Sequence, residues 1–166
     1  SLNMKQLRKL YNFNWNANTV TDTAKVAEVL AAKDGKWVLI HEDSTTGDMF
    51  FVYNKELISF EADTIGEYGT QDDMTPALFD TISAKTNTLG ENDDVYKLIT
   101  FPATNEFPAK HDIKVTAYSV QAHDGLDENW NPLSAMISEF GAGKSGDNNE
   151  NTSWAGAYTQ YKDTYL

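Results

Sequence analysis

Two apolar runs with a turn between them constrain this chain more than any other feature. Trp37-Val38-Leu39-Ile40 and Met49-Phe50-Phe51-Val52-Tyr53 flank Ser44-Thr45-Thr46-Gly47-Asp48. Both runs are rich in β-branched and aromatic side chains and read as strands, and the residues between them are turn formers. Asn54-Lys55 is short enough for a second tight turn, with Leu57–Phe60 as a third strand. Residues 36–60 are therefore expected to form an antiparallel meander.

The flanking segments carry their own periodicities. Tyr11, Phe13 and Trp15 alternate with Asn12, Asn14 and Asn16, the period of a strand with one face buried. Thr21 or Asp22 can cap a helix over 22–33 with Val26, Val29 and Leu30 as its apolar stripe, and Gly35 is the expected left-handed stop. Thr75-Pro76 predicts a helix over 75–86 with Leu78, Phe79 and Ile82 inward. Residues 94–101 and 112–121 read as strands, the second with Ile113, Val115 and Ala117 on one face. Asn131-Pro132 opens a helix over 132–140 with Leu133, Met136, Ile137 and Phe140 on its stripe. The Gly/Asn-rich stretch 141–152 reads as a linker to a C-terminal helix at 153–166. That helix is capped by Ser153 and spaces Trp154, Tyr158, Tyr161 and Tyr165 along one face. There are no internal repeats or heptads. The expected architecture is α+β: a single domain over 1–140 with an antiparallel sheet of about five or six strands, three helices packed on it, and a docked C-terminal aromatic helix.

Charge is unevenly distributed. Of a net −12, residues 41–100 contribute −10, residues 101–166 contribute −5, and residues 1–40 offset these with +3. A dense negative field repels polyanions and attracts basic surfaces, so nucleic acid is not expected as a direct partner and a basic protein surface is. Glu61, Asp63, Glu67, Asp72, Asp73, Asp93 and Asp94 are the candidate partner-binding carboxylates. Cysteine is absent, which excludes disulfides, a thiolate nucleophile and zinc–thiolate sites. No apolar run approaches the roughly 18–20 residues of a membrane span. Ser1-Leu2-Asn3 reads as a cloning remnant ahead of Met4. With Met4 as the native start, a cytoplasmic or phage-particle protein is expected; with a leader trimmed away, a secreted or surface one.

Motifs with chemical content are few. Gly141-Ala142-Gly143-Lys144-Ser145 imitates the end of a phosphate loop, but Ser138 stands where its first glycine belongs, and a helix rather than a strand precedes it. Asp124, Asp127, Glu128 and Asn129 offer closely spaced oxygens that suit calcium, although Leu126 occupies a position where the EF-hand order needs a donor. No other cofactor is expected. His41 adjoins Glu42 and Asp43, yet neighbours on a strand point to opposite faces; His111 and His123 flank the strand expected at 112–121. No serine sits in a nucleophile-elbow frame. Ile113-Lys114-Val115-Thr116-Ala117-Tyr118-Ser119-Val120-Gln121-Ala122, followed by Trp130, resembles a strand of camelysin-type surface β-sandwiches of Gram-positive bacteria. That resemblance covers about a tenth of the chain and implies no function.

These readings point first to a non-catalytic acidic interaction protein of bacterial or phage kind that binds a basic partner, and they leave the oligomeric state open. The alternatives are a carbohydrate- or ligand-binding surface module using Trp15, Trp130 or the tyrosine face, and a small metal- or carboxylate-dependent hydrolase in which the histidines meet two acids.

Overall fold

The computed structural model describes residues 2–57, 74–85, 93, 113–119, 131–136 and 155–165. In chain order it contains α1 (Met4–Leu10), β1 (Tyr11–Trp15), β2 (Thr19–Val20), a 3-10 turn (Thr23–Lys25), α2 (Val26–Ala32), β3 (Trp37–Glu42), β4 (Met49–Tyr53), β5 (Phe79–Ala84), α3 (Pro132–Met136) and α4 (Ala155–Tyr165). The class is α+β, with antiparallel pairing between β1 and β5 and between β3 and β4, and a short parallel pairing of β2 with β3. Among the described residues the strands form separate sheets of two and three, not one sheet of five or six.

The hairpin forms as its sequence dictates. β3 and β4 pair in register Trp37↔Tyr53, Val38↔Val52 and Leu39↔Phe51, and then a bulge inserts Ile40 before His41↔Phe50. The connecting turn is built by Asp43, whose carboxylate accepts the Thr45 and Thr46 N–H groups at 2.8 Å each. Gly47 follows at φ +76, with its backbone against Lys5. The third strand expected at 57–60 lies outside the described residues apart from Leu57, which is not in a strand.

The helix expected at 75–86 is a strand, and the reason is specific. β5 pairs with β1 through Ile82↔Phe13 and Thr81↔Asn14, and then skips Asp80 to place Phe79 opposite Trp15. The bulge brings Phe79 and Ile82 to the same face three positions apart, a spacing that imitates a helical stripe. Asp80, the extra residue, turns outward and accepts from Asn16 Nδ2 at 2.6 Å. Residues 113–119 likewise carry no regular secondary structure; Val115, expected inside, is 64% exposed.

α2 begins after the Asp22 cap, which accepts the Ala24 N–H at 3.0 Å. Its left-handed C-cap is Lys33 at φ 48, two residues ahead of the expected Gly35; Gly35 then takes φ +83. What fixes this connection is Asn54, fully buried. Its Oδ1 accepts the Gly35 and Lys36 N–H groups at 2.9 and 2.6 Å, and its Nδ2 donates to the Val29 carbonyl at 2.6 Å and to Asp34 Oδ1 at 3.0 Å. One amide thus closes the end of α2 and sets the start of β3, with every polar atom of the side chain paired.

The aliphatic core lies on one face of the three-stranded sheet. Val38, Ile40 and Val52 pack against Val26 and Leu30 of α2, Leu133 of α3 and Ala157 of α4. The valine, leucine and isoleucine side chains among them contribute about 1.5–3 kcal/mol each when fully buried. α3 starts as its sequence implies, with Asn131 Oδ1 accepting the Leu133 and Ser134 N–H groups at 2.9 and 3.3 Å; residues 137–140 lie outside the described set. α4 docks over the β3 bulge, where the Tyr161 hydroxyl donates to the Ile40 carbonyl at 2.6 Å and His41 Nδ1 lies 2.8 Å from Gln160 Oε1. Of the expected Trp154/Tyr158/Tyr161/Tyr165 face, Tyr161 alone has a described side chain. The 141–152 linker is also outside the described residues.

Candidate functional site

A strand that is apolar on both faces must be covered on both, and β3 is such a strand. With Val38 and Ile40 turned to the helices, Trp37 and Leu39 face the other way, beside Phe51 and Tyr53 of β4. There they meet the apolar face of the β1–β5 pair. Ring centroids lie 5.3 Å apart for Trp15 and Phe51, 6.3 Å for Phe13 and Phe79, and 6.4 Å for Trp15 and Phe79. The Trp37 indole N–H donates to the Pro76 carbonyl at 2.9 Å, which satisfies the ring's polar atom and fixes its plane. Thr19 Oγ1 donates to the Leu78 carbonyl at 2.7 Å, tying the segment before β5 to the larger sheet.

Among the described residues this second layer does not close. Between the sheets runs a groove of about 590 Å³ whose lining includes Phe13, Trp15, Trp37, Phe50, Phe51 and Phe79. All six rings are half-buried, in contrast to the fully covered aliphatic layer. Leu7 of α1 adds a buried side chain to the lining, Ile113 and Val115 come from the 113–119 segment, and Met4, Met49 and Met136 complete much of the apolar surface. Asn3, Asp48, Lys114 and Thr116 contribute the polar part. A concave, mainly apolar surface with a few polar groups at its margin is the usual form of a binding site.

Where the α1 wall meets the hairpin, the contacts are polar and exposed. Arg8 Nη1 lies 2.7 Å from Glu42 Oε1, and the Lys5 N–H donates to the Thr46 carbonyl at 2.8 Å. The backbone N–H groups of Thr46 and Thr45 hold the Asp43 carboxyl below its ordinary value of 3.8. The Asn54 amide, and after it Lys36, do the same for Asp34.

Of the carboxylates expected to bind a partner, Asp93 is described: it is half-buried, and Lys9 Nζ sits 3.3 and 3.2 Å from its two oxygens. Glu61, Asp63, Glu67, Asp72, Asp73 and Asp94 lie outside the described residues, as do the calcium candidates Asp124, Asp127, Glu128 and Asn129 and the glycine-rich 141–145 segment. His41 is held against α4 by Gln160; His111 and His123 are outside the described set. Among the described residues no three histidine or acidic side chains group as metal ligands, and no helix is long and apolar enough to cross a membrane. The groove itself was not anticipated as a site. Its one sequence signal is the unbroken apolarity of 37–40 and 49–53, which requires cover on both faces.

Comparison of the chain with protein-family models, with curated proteins and with solved structures finds no match.

Proposed function

We propose that this chain is a non-catalytic acidic interaction protein whose aromatic groove receives apolar side chains from a basic protein segment. One observation carries the reading: six half-buried aromatic side chains among the described residues line one groove in a chain of net charge −12. Rings supply large contact area at low entropic cost, and the net charge of −12 of the whole chain favours a basic partner. An amphipathic basic helix laid into the groove is the recognition mode that fits both. The ring geometry speaks against a sugar platform. Phe13 and Trp15 lie within 22° of parallel, but the contacts to Phe51 and Phe79 are tilted by 44–87°, so the cluster offers no flat face.

The test is a fluorescence titration with a synthetic Lys/Leu amphipathic peptide and its Glu/Leu counterpart. The lysine peptide is expected to bind saturably, with affinity falling about ten-fold between 50 and 200 mM salt as the field is screened. Val115→Lys, at an exposed position on the groove, should weaken it by about ten-fold through loss of apolar contact and like-charge repulsion. Equal binding of the glutamate peptide, or no effect of Val115→Lys, would reject the reading.

A further inference from the structure

We propose that the groove is a methionine-oxidation site, at which conversion of Met4, Met49 and Met136 to sulfoxides closes it to apolar partners. The chain has four methionines and no cysteine, so these thioethers are its oxidisable sulfurs. Three of the four, separated by 45 and 87 residues in sequence, line this one groove, and each is half-buried. They arrive on three different elements, α1, β4 and α3, so no local pattern brings them together. The fourth, Met74, is 57% exposed and does not line it.

A thioether gives such a surface its adaptability, because Met is unbranched and polarisable and reshapes around different apolar side chains. The same sulfur is its weakness. With hydrogen peroxide as oxidant, a sulfur lone pair attacks one peroxide oxygen and an S–O bond forms as the O–O bond breaks. The departing hydroxide takes up the remaining proton and leaves as water. Sulfur is oxidised by two electrons and peroxide is reduced. The product is polar and chiral, and three such groups turn a wall that excluded water into one that holds it. Each of the three side chains is half-buried, so none is sealed in the core, although Met136 also packs against the aliphatic cluster.

This inference rests on the groove being a binding site, and the experiment separates the two. The protein is treated with graded hydrogen peroxide, oxidation at each methionine is read by peptide mass spectrometry, and affinity for the Lys/Leu peptide is measured at each stage. Met74 should oxidise first without altering affinity. Oxidation of Met4, Met49 and Met136 should then weaken binding by about ten-fold, the scale expected when polar groups enter an apolar contact. Methionine sulfoxide reductases should restore it. Leucine at Met4, Met49 and Met136 together sets its own starting affinity, and that affinity should be the same before and after peroxide, while Met74→Leu should lose affinity on peroxide treatment as the parent does. Unchanged affinity with the three sulfoxides present would overturn the proposal, as would equal peroxide sensitivity of the triple variant. Loss of the far-UV circular dichroism on oxidation would overturn it too, as plain unfolding. Absence of peptide binding before any peroxide would remove the groove reading itself, and this inference with it.

Discussion

Asn54→Ala should be the most damaging single truncation outside the aliphatic core. The side chain is completely buried and makes four hydrogen bonds, two to backbone N–H groups, one to the carbonyl of Val29 near the end of α2, and one to Asp34. Alanine leaves the Gly35 and Lys36 N–H groups and the Val29 carbonyl without this partner, whereas Asp34, at the surface, recovers water. At about 1 kcal/mol for each of the three groups, the loss is about 3 kcal/mol. For a chain of this size that lowers the melting temperature by about 6–12 °C. Asn54→Asp sharpens the reasoning. It keeps the acceptor for the two N–H groups but turns a second oxygen toward the Val29 carbonyl and the Asp34 carboxylate. Burial and that neighbour raise the pKa of the introduced carboxyl in the folded state, so its penalty is full above the folded pKa and relieved as pH falls through it, where the protonated acid donates to Val29. Urea unfolding followed by far-UV circular dichroism at several pH values checks both. A loss below about 1 kcal/mol for Asn54→Ala would show that these bonds do not fix the α2–β3 junction.

Gly47→Ala should destabilise by about 1–3 kcal/mol, because φ is positive there and because a Cβ would sit 2.6 Å from the Lys5 backbone nitrogen; thermal unfolding reads it. The Asp43 carboxyl is held below its ordinary value by the Thr46 and Thr45 N–H groups, so its contribution is complete above the unfolded pKa near 3.8 and is lost as pH falls through the lower folded value. Asp43→Asn should therefore be most distinguishable from the parent above that window and converge with it below, measured as stability against pH. Tyr161→Phe removes the bond to the Ile40 carbonyl and should cost about 1 kcal/mol, with faster amide exchange along α4 as the local readout.

Local chemistry was legible in the sequence; assembly was not. The alternation of Tyr11, Phe13 and Trp15, the 36–53 hairpin and the Asn131 cap each depend on neighbours within a few residues, and each appears where the pattern put it. The misreadings share a cause. Phe79 and Ile82 looked helical because a bulge, a property of pairing with β1, set their spacing. Lys33 replaced Gly35 as the C-cap because the Asn54 amide, nineteen residues on from Gly35, dictates where α2 stops. α1 is not among the expected elements, although Asn3 and Gln6 form its capping box. The groove draws on α1, β1, β3, β4, β5, α3 and the 113–119 segment, and only the folded pairing brings these together.

The central claim is that partners enter at the aromatic layer. Its most direct test is the map of backbone and aromatic chemical-shift changes on adding the Lys/Leu peptide to isotope-labelled protein. Changes are expected to concentrate at Phe13, Trp15, Trp37, Phe51, Phe79 and Val115. Changes confined to residues 61–94, with these six unmoved, would place the site on the acidic stretch and contradict it.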